Sequence, residues 1–200
     1  MPSGLIKSTQ RRPKGYVGTD HETIGSDILA VLGALRLPEE ILGKATFERL
    51  KEVKPEDWYP IGWLLELMEE LDRRVGRFAL MRMGRKLFKL SHEARVRQVA
   101  HSARDVLYGM DAMYHHANRG KSIGGWRVLQ FSPGHAELEK TTPHHCAMEE
   151  GILLEALSLV GCRALVEQAE CFRKGATACI YVVTSSIVDR RWSGDEENAP

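Results

Sequence analysis

The hydrophobic period of this chain first changes at Asn118-Arg119-Gly120, and that change limits the fold more than any other feature. Before it, apolar residues recur at three- and four-residue spacing, the mark of helices with one buried face. Ile24, Ile28, Val31, Leu32 and Leu35 form one such stripe. Ile61, Leu64, Leu65, Met68 and Leu71 form a second, after Pro60, which suits a first helical turn. A helix over Phe78–Leu90 follows a break at Gly76. A longer one over Ser91–Asn118 carries Val96, Val99, Ala103, Val106, Leu107, Met110 and Met113 inward. After Gly120, Trp126–Phe131 and Ala136–Thr141 alternate like strands about a Ser132-Pro133-Gly134 turn. Cys146–Val160 returns to helical period, and Arg163–Phe172 and Thr177–Thr184 read as two more strands joined near Gly175. The expected class is α+β: a helical N-terminal half followed by a ββαββ antiparallel sheet.

Two hundred residues make one domain with a real core. Its expected limits are 19–188, with residues 1–18 a polar, basic arm and 189–200 a disordered tail. A net charge of +1 gives no global field to draw the protein to nucleic acid or anionic lipid. No recognition motif for nucleic acid is present, and no apolar run has membrane-spanning length. The N-terminus has basic residues but no apolar segment of secretory type, so the cytoplasm, with reduced thiols, is the expected compartment. A phosphate-binding glycine loop, a nucleophile elbow and an HExxH pair are all missing, and a non-catalytic protein is expected.

All four cysteines lie between Cys146 and Cys179. With a hairpin centred near Gly175, Cys171 and Cys179 face each other across two strands, and strict alternation puts Glu167 on the face of Cys171. Cys146 opens a helix, where the positive helix end favours thiolate. Three cysteines and a carboxylate suit a tetrahedral zinc, with His144 or His145 as substitute ligands. The alternatives are buried packing, the natural reading of Cys162, and a redox pair.

Gly124-Gly125-Trp126 before a strand, Pro143-x-x-Cys146 with Gly151 in the following helix, and Glu167-x3-Cys171-x3-Gly175-x3-Cys179 together resemble the 4-vinyl reductase domain. That domain belongs to a superfamily shared with haem nitric-oxide sensors and transport-particle (TRAPP) subunits. The resemblance covers about Asp57 to Thr184. It implies an α+β, dimeric domain holding a small ligand between helices and sheet. In relatives that sense aromatic compounds it implies a structural zinc on three cysteines and a glutamate. The cysteines carry over to Cys146, Cys171 and Cys179. The family's usual glutamate position holds Gln168 here, with Glu167 one residue early.

The ligand pocket is expected between the helix Ser91–Asn118 and the sheet face bearing Trp126. Met110 belongs to its wall, and His101, Tyr114, His115, His116 and Trp126 are candidate contacts for a small hydrophobic or aromatic ligand. Met110-Asp-Ala-Met-Tyr114 also looks like the segment that presents the proximal histidine in haem sensors, with Tyr114 or His115 as candidate ligands. The Tyr-x-Ser-x-Arg segment those sensors use for the propionates is missing, which argues against haem. The function expected is a small-molecule-binding regulatory domain acting through a homodimer or a protein partner. The alternatives are an interaction scaffold without exchangeable ligand and a haem-based gas sensor.

Overall fold

A computed structural model describes residues 20–194; the expected N-terminal arm and residues 195–200 lie outside them. β1 (Glu22–Ile24) leads directly into α1 (Gly25–Ala34). Two short helices, α2 (Pro38–Leu42) and α3 (Lys44–Lys51), precede β2 (Trp58–Pro60) and the long α4 (Ile61–Leu87). Gly76 interrupts α4 with φ 77°, a conformation that glycine adopts without steric cost and that matches the expected break.

The single helix expected over Ser91–Asn118 is instead a π-helical turn (Phe88–His92), α5 (Glu93–Val99) and α6 (Ala103–Ala117). The cause is local. Ser102 accepts the Asp105 N–H at 3.2 Å, and the Asp105 carboxylate accepts the Ser102 N–H at 3.0 Å and the His101 N–H at 2.9 Å. This capping box offers the backbone a better arrangement than a continuous helix, so α6 starts afresh.

β3 (Asn118–Arg119) pairs with β1, and β1 with β2, in a small antiparallel sheet. Then come β4 (Trp126–Ser132), β5 (His135–Lys140), α7 (Cys146–Leu159), β6 (Leu165–Glu170) and β7 (Cys179–Thr184). The main sheet has the order β4-β5-β7-β6, every pair antiparallel. The helical half followed by ββαββ is the architecture expected.

α7 is buried on nearly all sides, sandwiched between the sheet and α4. The α4–α7 crossing passes through Gly84 and Gly151, which let the two backbones touch. Residues 189–194, expected to belong to a disordered tail, are folded instead. Asp189 caps α8 (Arg190–Ser193) by accepting the Arg191 N–H. Trp192 of α8 is 1% exposed, stacks on Phe131 with ring centres 5.3 Å apart and donates its indole N–H to Ser132 O at 2.9 Å.

Candidate functional site

Three cysteines from three elements meet between α7 and the sheet. Cys146 is the first residue of α7, Cys171 follows the end of β6, and Cys179 opens β7. The Cys146 sulfur lies 3.5 Å from that of Cys179 and 3.7 Å from that of Cys171, and all three sulfurs fall within 4.8 Å of one another. Thiolates bound tetrahedrally to zinc at about 2.3 Å stand about 3.8 Å apart, so the trio fits such an ion with little movement. The Phe172 N–H donates to the Cys179 sulfur at 3.4 Å. Cys162 is buried elsewhere and takes no part.

The hydrogen bond from Cys179, helped by the nearby Lys140 ammonium and by Gln168 and Cys171, lowers the Cys146 thiol pKa. Cys179, which keeps the shared proton and is buried, moves up. The cluster therefore favours a thiolate at Cys146. The Lys140 side chain is fully buried. Its Nζ lies 2.9 Å from Glu149 Oε2 and 3.9 Å from the Cys146 sulfur, and donates to His144 O at 2.8 Å. Three thiolates around a divalent ion carry one net negative charge, and a buried ammonium beside them offsets it.

The fourth residue differs from expectation. Glu167 faces solvent, and Gln168 turns inward toward Cys146. In the β6–β7 ladder Gln168 pairs with Tyr181 and Glu170 with Ile180, with a bulge between them. The bulge adds one residue to β6, so Cys171 shares the face of Gln168, three positions back, and not that of Glu167. The expected turn geometry changes too. A 3-10 turn (Phe172–Lys174) follows Cys171, and the ladder partner of Cys179 on the β5 side is Lys140.

The expected ligand contacts do not form one site. Tyr114 is buried and donates its hydroxyl to Ile123 O at 2.9 Å; burial, aided by Asp111, pushes its pKa up and keeps it a neutral phenol. Trp126 is buried against Tyr181, ring centres 5.4 Å apart. His115 is exposed and stands 3.5 Å from Asp111, and His116 and His101 are exposed as well. What remains between α6 and Trp126 is a cavity of about 30 Å³ lined by Asp27, His92, Asn118, His144 and Glu149 together with Met110, Met113, Tyr114 and Trp126. His144 lines this cavity, edge-on to Tyr114; burial and the Lys140 charge lower its pKa to about 4, so it is neutral.

The larger opening is on the other flank of α6. A groove of about 410 Å³ runs between α5, α6 and α7, walled by Val96, Val99, Val106, Met110, Met113 and Ala156. Gly109 also lines it, and a Cβ added there would meet nothing within 4 Å. Val99, Val106, Met110 and Met113 were expected to wall a pocket, and they do, facing a different neighbour. The buried polar groups escaped the sequence reading, although one signal was available. Ala136, Leu138 and Lys140 share the buried face of β5, so strict alternation already placed a lysine inside.

No family model matches the chain, and no curated protein matches it in sequence. Solved structures do resemble it. An H-NOX protein from S. oneidensis in the Fe(II)NO ligation state superposes with TM-score 0.63 at 15% identity, over 81% of this chain and 99% of that one. The Fe(II) unliganded H-NOX protein from K. algicida gives 0.59 at 10% identity, over 82% and 97%. A point mutant of the T. tengcongensis H-NOX gives 0.59 at 10% identity, over 82% and 96%. The chain has the H-NOX type of α+β fold.

Proposed function

We propose that this chain is a non-catalytic regulatory domain that binds a small apolar or aromatic molecule in the groove beside α6. The observation that carries this reading is the groove itself. Its volume of about 410 Å³ lies within the range of small-molecule sites, roughly 300–1,000 Å³, and its walls are mainly aliphatic and methionine side chains, with Arg95, Gln98 and Asp105 also lining it. Cys146, Cys171 and Cys179 hold a divalent ion of zinc type as a structural tie between α7 and the sheet. The ion supplies cross-linking there and no chemistry. Binding is passed on by association with a second copy or with a partner protein in the cytoplasm, and the exposed Phe78 on α4 is one apolar contact available for it. The cysteine trio favours the 4-vinyl reductase branch of the fold.

A haem-based sensor is the second reading, favoured by the likeness to H-NOX structures. Against it stands the space between α6 and Trp126, where Tyr114 was the candidate ligand. A cavity of about 30 Å³ has room for a water, not a macrocycle, and the Tyr114 hydroxyl is committed to Ile123 O.

Thermal melts against a panel of alkylbenzenes and other small aromatics test the leading reading. Saturable stabilisation of the natural chain is expected, with its loss in Gly109→Leu, whose Cβ has open space around it and whose side chain would occupy groove volume. A panel with no stabilising member, together with a Soret band in the purified protein, would replace this reading by the haem sensor.

A further inference from the structure

The groove and the central cavity share two residues. Met110 and Met113 line both, so an apolar space of about 410 Å³ and a small one of about 30 Å³, in which a few polar groups stand among apolar side chains, share the same pair of side chains. Methionine has three rotatable bonds and tolerates several packings, which makes this partition one that a ligand can part.

Three buried acceptors stand among the apolar side chains of the small cavity. Asp27 Oδ1, Asn118 Oδ1 and His144 Nε2 are buried and have no hydrogen-bond partner, and all three residues face the 30 Å³ cavity. Each residue is more than nine-tenths buried. Their other polar atoms are engaged or directed elsewhere. Asn118 donates its amide N–H to Tyr114 O at 3.0 Å, which leaves its carbonyl oxygen facing the cavity. His144 Nδ1 faces Glu149 Oε1 at 3.6 Å, and with the ring proton on Nδ1 the Nε2 lone pair is free. His92 Nε2 stands 3.6 Å from Asp27 Oδ1, beyond hydrogen-bond length. Buried acceptors without donors are costly, so such a set points to an occupant that brings donors.

We propose that the ligand of this domain carries a primary ammonium head group on an apolar body, the body in the groove and the head passing between Met110 and Met113 into the central cavity. This rests on the groove-binding reading above and narrows it to one class of compound. An ammonium head has three N–H donors for the three acceptors, and its charge complements the Asp27 carboxylate. A hydroxyl head brings one donor and leaves two acceptors unpaired. A carboxylate head brings none and adds repulsion with Asp27. The cavity has the volume of a single small group, which suits a terminal –NH₃⁺ and excludes a branched or quaternary head.

Four probes with one phenyl body separate the outcomes: phenethylamine, 2-phenylethanol, phenylacetate and ethylbenzene, titrated into the natural chain at neutral pH by calorimetry. The amine is expected to bind at least about tenfold more tightly than ethylbenzene, the size of one charge-assisted hydrogen bond, with the alcohol between them and no binding of phenylacetate. Asp27→Asn, close in shape, should bring the amine down to the level of the alcohol while ethylbenzene binding is unchanged. Asn118→Leu should lower the amine's affinity in the same way. Equal affinity for amine and ethylbenzene, or for amine and alcohol, would overturn the ammonium assignment and leave the groove reading standing. Tightest binding of phenylacetate would overturn it as well. If none of the four binds, the groove reading itself falls, and this inference with it.

Discussion

Gly84 on α4 and Gly151 on α7 face each other's helix backbone. A methyl group at Gly84 would sit 1.9 Å from the Met148 carbonyl oxygen, and one at Gly151 would sit 1.9 Å from that of Met81. Neither neighbour is a side chain that can swing away, so only separation of the helices makes room. α7 carries Cys146 at its start, and any shift of the crossing moves that cysteine relative to Cys171 and Cys179.

Gly151→Ala is therefore expected to destabilise the fold by about 3 kcal/mol, at the upper end of overpacking costs. Gly62, on the same α4 helix, has nothing within 4 Å of an added methyl. Gly62→Ala should instead stabilise by about 0.5–1 kcal/mol through helix propensity. Urea unfolding midpoints of the two variants should move in opposite directions. A neutral Gly151→Ala would mean the helices are not in backbone contact.

The cysteine trio makes a second prediction. Zinc added to chelator-treated protein should bind at one equivalent and raise the melting temperature on the order of 10 °C at high saturation. Cobalt in its place should give tetrahedral ligand-field bands with thiolate charge transfer. Serine at Cys146, Cys171 or Cys179 should abolish both signals. Cys162→Ser should leave them intact, because that sulfur lies outside the cluster. Loss of metal on Cys162→Ser alone would exclude the trio as the binding site.

Gln168 and Glu167 give a third, with opposite signs for the two metal states. Gln168→Glu places a carboxylate beside the thiols. Without metal it adds buried negative charge and should lower stability by about 1–3 kcal/mol. With metal it supplies an anionic fourth ligand and should raise affinity by about tenfold or more, read from competition with a chromophoric chelator. Glu167→Gln should change neither, since Glu167 faces solvent. A loss of metal affinity in Glu167→Gln would show that the carboxylate reaches the ion after all.

The period change at Gly120 was enough to read the class and the order of the elements, because burial on one face imposes 3.6 on helices and 2 on strands. What stayed hidden depended on single residues acting against those periods. Ser102 and Asp105 cap a new helix inside an otherwise continuous apolar stripe. One bulge in β6 exchanged Gln168 for Glu167 beside the cysteines, and no periodicity rule locates a bulge. The polar groups of the central cavity assemble from α1, α6, β3 and α7 with the segments just before α5 and α7, so no local pattern announces them. The convergence of Cys146, Cys171 and Cys179 was legible only because a helix start and two strand ends return to one corner of this fold.

Trp192 is the clearest case of tertiary structure overriding composition. Its neighbours Arg190, Arg191, Ser193 and Gly194 are polar or small, and a four-residue helix has no stability of its own. The indole supplies what the helix lacks: it covers the Phe131 ring in a near-parallel stack, with 10° between the planes, and gives its N–H to Ser132 O. Both partners are on β4, an edge strand of the main sheet, so α8 closes that end of the core. Trp192→Ala should cost about 3–5 kcal/mol, the range for deleting a buried large aromatic side chain. Trp192→Phe keeps the stack, removes the hydrogen bond and leaves the Ser132 carbonyl short of a donor, so it should cost about 1–2 kcal/mol. Urea unfolding of the two variants checks both numbers. If Trp192→Ala melts like the natural chain, α8 is not docked and the core ends with β7.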